Sequence, residues 1–129
     1  MPPIAKKGDV VFGLDTHVCL LPVGPGTAPT PISMPFSGKL TSSLADYVKI
    51  DDQPVAVVGS EASNQPRHVC PAGQFMQPPS DKARVIAGSG TVMAEDKPVA
   101  RSGDAATSCD DLGASGNSHV IATSSVLAD

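Results

Sequence analysis

A turn signal interrupts this chain every few residues, at Pro25-Gly26, Ser37-Gly38, Asp51-Asp52, Pro78-Pro79 and Glu95-Asp96. No long amphipathic helix survives such punctuation, and the segments between are rich in β-branched residues, the pattern of short strands joined by tight turns. The 13 Pro and 12 Gly approach a level seen in disordered chains, but 40% of residues are hydrophobic and the β-branched runs recur, so a folded all-β domain is expected. Its core must be thin: there is no Trp, one Tyr and three Phe, which leaves burial to Val, Ile, Leu, Ala and Met. Some additional staple is therefore expected. With 129 residues, one domain spanning 1–129 is the expected organisation.

The net charge of −4 supplies no basic footprint for nucleic acid or an anionic membrane. Lys6 and Lys7 are not followed by the apolar stretch of a signal peptide, and no apolar run is long enough for a membrane span, so synthesis in the cytoplasm is expected. Three cysteines without a secretory signal then read as reduced thiols or metal ligands rather than a disulfide framework.

The chain also repeats itself. Val48-Lys49-Ile50-Asp51-Asp52-Gln53-Pro54-Val55-Ala56-Val57-Val58-Gly59 matches Val92-Met93-Ala94-Glu95-Asp96-Lys97-Pro98-Val99-Ala100-Arg101-Ser102-Gly103 in register. Each copy reads as a strand, an acidic turn, Pro-Val-Ala and a closing Gly, a hairpin used twice. A partial third copy, Val120 to Asp129, echoes Val85 to Glu95. A second echo has another offset: Gly8 and Gly59 are each followed nine residues later by a His-Val-Cys triplet, His17-Val18-Cys19 and His68-Val69-Cys70.

The three histidines are equally spaced, with 51 residues from His17 to His68 and 51 from His68 to His119. If similar units pack around an axis, equivalent residues meet near it, so His17, His68 and His119 are candidates to converge, with Cys109 adding a thiolate. Three imidazoles and a thiolate form a tetrahedral set suited to structural Zn²⁺. A structural zinc would also stabilise a thinly packed domain. Ligands this dispersed, with no CxxC or HExxH, are equally read as isolated surface or satisfied core histidines. For catalysis there is no phosphate loop, nucleophile elbow or deaminase signature. Asp110-Asp111, in a Gly/Ser-rich stretch, reads as a solvated turn, and Asp15-Thr16-His17 with Cys19 reads as strand. A small zinc hydrolase with Asp15, Asp110 or Asp111 as base, and a stand-alone adhesive β domain, are the competing functions.

The recurring Pro-Val-Ala unit resembles the Pro-Ala-Ala-Arg element of PAAR proteins, here Pro98-Val99-Ala100-Arg101 and more loosely Pro54-Val55-Ala56-Val57. Gly8-Asp9, Asp15-Thr16-His17-Val18, Pro29 to Ile32, Pro35 to Gly38, Val58-Gly59-Ser60, Gln65 to His68 and Gly103 to Cys109 also resemble the PAAR-like branch in order. The resemblance implies a small cone of short strands and hairpins with pseudo-threefold character, tipped by a structural zinc on histidines and a cysteine. It implies that one copy caps the trimeric VgrG-type spike of a type VI secretion system, with transient membrane contact and export into a target cell on firing. His17, His68 and Cys109 occupy positions where ligands are expected. His119 is the candidate for the fourth, with Met34 its alternative and Cys19 and Cys70 less favoured. No toxin extension after the cone is expected, and any effector is expected to be a separate protein.

Overall fold

The computed structural model describes residues 1–111 and 116–129, and among these there is no helix. The strands are β1 (Val10–Val23), β2 (Gly26–Ser42), β3 (Ala45–Ile50), β4 (Gln53–Val55), β5 (Glu61–Asn64), β6 (Gln74–Phe75), β7 (Lys82–Val85), β8 (Met93–Ala94), β9 (Lys97–Pro98), β10 (Ala105–Thr107) and β11 (Ser118–Ile121). The largest sheet runs β11-β10-β7-β5-β2-β1-β6, and β11 also pairs with β1, so six strands close a ring with β6 attached outside. Each neighbouring pair is antiparallel. Closure leaves the ring no open edge along the paired stretches.

Three equivalent units build this ring. In each, a glycine with φ between 92° and 98° (Gly8, Gly59, Gly103) turns the chain into the unit's first strand. The amide of that glycine donates to the unit's second strand, at Leu40, Val85 and Val120 respectively. The residue after the glycine returns a side-chain oxygen to the amide three residues earlier: Asp9 to Lys6, Ser60 to Val57 and Asp104 to Arg101, at 2.9, 3.0 and 2.7 Å. At Gly59 a Cβ would meet nothing within 4 Å, so the residue is there for its backbone conformation and not for space.

The units join at an axis. The Ala5 amide donates to the Ala100 carbonyl (2.8 Å), Ala100 to Ala56 (2.9 Å) and Ala56 back to Ala5 (2.9 Å), with all three alanines fully buried. Pseudo-threefold character is thus written as a closed cycle of backbone hydrogen bonds. The third Pro-x-Ala copy is Pro3-Ile4-Ala5, which complements the C-terminal partial copy: Pro3 bridges Leu127, and Ile4 donates to Val126. Hairpins β3–β4 and β8–β9 have the acidic turns read from the sequence, each with two positive φ angles, as type I′ turns require.

Two cores follow. Phe36, Leu40, Val11, Val85 and Val120 fill the ring with the axial alanines, whereas Ile4, Val55, Val99, Ala94 and Ala128 form a second cluster under the hairpins. The expected short strands describe most of the fold but not β1 and β2, which pair continuously from Val10↔Lys39 to Val23↔Gly26. Ser37-Gly38, a turn signal by composition, lies inside β2. Pro29, Pro31 and Pro35 are tolerated because they share the parity of Ser37, whose amide points away from β1 to Asn64 Oδ1; their missing N–H groups all fall on that side.

Candidate metal centre

Strand β1 carries the site outward from the ring. Its odd-numbered residues Val11, Asp15, His17 and Cys19 are all buried, one face of a pleat of period two. At roughly 3.3 Å per residue, His17 sits about 20 Å along the strand from Val11. His68 comes from the loop between β5 and β6, and Cys109 follows β10.

These segments bring Asp15, His17, His68 and Cys109 together, with one donor atom from each lying within 4.8 Å of all the others. Asp15 Oδ2 is 2.9 Å from His68 Nε2, 3.2 Å from Cys109 Sγ and 3.9 Å from His17 Nε2, and Cys109 Sγ is 3.5 Å from His17 Nε2. A tetrahedral zinc with ligand bonds of 2.0–2.3 Å needs donors about 3.3–3.8 Å apart. Two imidazoles, a thiol and a carboxylate at these separations fit such an ion after small shifts.

The surroundings orient each donor. Asp111 Oδ1 accepts from His17 Nδ1 at 2.9 Å, which leaves Nε2 as the lone-pair nitrogen facing the cluster. Asp111 Oδ2 and Asp110 Oδ1 accept the amides of Val18 and Thr16, covering the part of β1's edge between β11 and β6. Asp110-Asp111 is therefore not a free solvated turn; it anchors the segment after Cys109. His68 is held by its own amide on Asp81 Oδ1 (3.0 Å) and by Asn64 at Nδ1 (3.3 Å). The second oxygen of Asp15 accepts from Ser108 and Asn117.

Burial, first, and then the hydrogen bond to Asp15 and that carboxylate's charge together push the Cys109 thiol up to about 12. Without a cation Cys109 is thus a thiol throughout the neutral range, and a bound cation must displace its proton. Binding is expected to release about one proton from this group, with affinity rising about tenfold per unit between pH 7 and 8. Calorimetry in buffers of different ionisation enthalpy reads that proton directly.

His119 stands apart. Ser118 and Val120 of β11 point inward, so the pleat turns His119 outward to solvent, where it lies opposite Phe12 and Ala105. The fold gathers three of the four donors expected from the sequence, with Asp15 beside them instead of His119. Asp15 is on the same pleat face as His17, two residues away, which is the signal that points to it. Met34 is buried, opposite Asp15 in register, and lines a shallow cavity with Asn64 and His68. Cys19 and Cys70 are joined in a disulfide, Cα atoms 6.0 Å apart, which corrects the expectation of reduced thiols. Compartment arguments concern the typical chain; here the two His-Val-Cys triplets are equivalent in the repeat and meet side by side.

A family model described as the PAAR motif matches residues 33–112, more than half of the chain. The chain belongs to the PAAR motif family. The matched stretch includes His68 and Cys109 and begins after Asp15 and His17, which the β1–β2 ladder brings to it. No curated protein and no solved structure gave a match. In this PAAR protein the motif's Arg101 forms a paired contact with Asp104, Nε to Oδ2 at 3.1 Å and Nη2 to Oδ1 at 2.9 Å. Asp104 holds the guanidinium charge and raises its pKa, and the same turn at Lys6-Asp9 carries a looser 3.4 Å pair.

Proposed function

We propose that this chain caps the trimeric VgrG-type spike of a type VI secretion system, one copy per trimer, with its metal centre toward the apex. The observation that carries the reading is the closed cycle of Ala5, Ala56 and Ala100, because it gives a monomer three comparable sides with which to meet a threefold needle. Below that cycle, β3–β4, β8–β9 and the Val126–Ala128 segment occupy equivalent places. These segments, with Val92 just before β8, expose Tyr47, Val48, Met93, Val126 and Leu127. Tyr47 is 91% and Met93 62% exposed, a large apolar outlay for so thin a core. Docking on the needle's strand ends would cover them and their strand edges.

At the other end of β1, His17, His68, Cys109 and Asp15 would hold a structural Zn²⁺, which crosslinks β1, the β5–β6 loop and the segment after β10. Four protein donors leave no open position for a water, which favours a structural site over a zinc hydrolase. The chain is exported with the spike when the machine fires. Co-expression with the trimeric spike protein of the same cell, followed by mass measurement of the intact complex, is expected to give a 1:3 assembly. A 3:3 complex would overturn the threefold argument, and no complex would return the stand-alone domain. Tyr47→Ala with Met93→Ser is expected to weaken the assembly about tenfold or more without altering the fold.

A further inference from the structure

The disulfide has a place in the fold that the capping reading does not use. Cys19 lies two residues beyond His17 on the same buried face of β1, and Cys70 lies two residues beyond His68. The two His-Val-Cys triplets therefore run side by side, joined covalently at the cysteines, with the imidazole centroids 4.8 Å apart. The triplets differ in support. His17 is on a strand paired along its whole length with β2, whereas residues 65–73 form no strand. Hydrogen bonds between His68 and Asn64, Asp81 and Asp15 of β1 hold that loop at His68, and β6 docks on Cys19 and Leu20 only from Gln74 onward. Between those supports, the bond at Cys70 is the covalent link to β1.

We propose that the Cys19–Cys70 disulfide is a clamp that sets the cation affinity of the His17–His68 pair, so that metal retention depends on thiol redox state. This rests on the metal reading above. The physical reason is preorganisation: an irregular loop without its covalent link to β1 is less ordered before His68 ligates, and the added ordering is subtracted from affinity. Reduction transfers two electrons to the disulfide, giving two thiols; a phosphine reductant ends as its oxide with water supplying oxygen and protons, and a dithiol ends as its own disulfide.

The test uses the whole chain in three forms: oxidised, phosphine-reduced and desalted without oxygen, and Cys19→Ser/Cys70→Ser. Co²⁺ is titrated into each and then displaced by Zn²⁺ in competition with a chelator. The expected result is tetrahedral Co²⁺ absorption with a thiolate charge-transfer band in the oxidised form, and affinity lower by about tenfold or more in both others. Val120→Ala, a core truncation outside the site, separates this from general destabilisation: with its disulfide intact, it should keep oxidised-like affinity even when its metal-free melting point matches the reduced protein's. Equal affinity in oxidised and reduced protein overturns the clamp, as does tighter binding on reduction, which would make the freed thiolates ligands. Affinity in Val120→Ala that falls as far as in the reduced form also overturns it. Thiol titration of denatured, unreduced protein must find one thiol, and three would remove the clamp's premise. Absence of Co²⁺ binding in every form instead sinks the metal reading itself.

Discussion

Replacing His17 by Ala is expected to abolish stoichiometric zinc and to destabilise the domain by several kcal/mol, on the scale of roughly 10–16 kcal/mol that structural zinc sites contribute to folding. The loss exceeds that of a ligand alone. His17 is fully buried between Asp15 and Asp111, so its removal leaves a buried carboxylate facing a hole and takes away the partner that orients the segment after Cys109. His68→Ala is expected to follow closely, and a chelator added to the wild-type chain should reproduce most of either effect. His119→Ala should change stability by no more than about 0.5 kcal/mol, as exposed substitutions do. Metal analysis of protein purified without chelators, combined with urea unfolding, checks all four. Zinc retained in His17→Ala but lost in His119→Ala would overturn the assignment.

Phe36→Ala is expected to cost about 3–5 kcal/mol, the upper range for truncation of a buried aromatic. Phe36 is the largest fully buried side chain in a protein with three Phe and no Trp. It packs with Leu40, Val11 and the axial alanines on one side, and its ring lies 6.2 Å from that of His68 on the other. The cavity therefore opens where the ring core meets the metal centre. A shift of the urea midpoint with unchanged slope should accompany weaker zinc retention. A loss below about 1 kcal/mol would mean that the two regions do not share a core. Tyr47→Ala, at 91% exposure, is the reference that should leave stability untouched.

The all-β class, the twice-used hairpin and the three donors His17, His68 and Cys109 were legible in residue order because each is tied to local chemistry. Acidic pairs at Asp51-Asp52 and Glu95-Asp96 mark turns, Pro-x-Ala marks the unit that follows, and the His-Val-Cys triplets keep their distance from a turn glycine. The third copy at Pro3-Ile4-Ala5 was hidden because its hairpin partner is the far end of the chain, so no local spacing joins them.

Residue order alone determined the acidic hairpin turns and which side chains share a pleat face, but not the length of β1 and β2, where the turn signal Ser37-Gly38 is overridden by pairing. It did not determine which faces meet. Equal spacing placed His119 with the other histidines, yet one residue of register in β11 turns it to solvent, since strand side chains alternate with a period of two. Asp15 and Asp111 entered the site, and Cys19 met Cys70, only through the closure of six strands around three alanines. Pairings between residues 50 to 100 positions apart are set by that closure, which depends on the whole chain packing at once, and a local pattern carries no record of it.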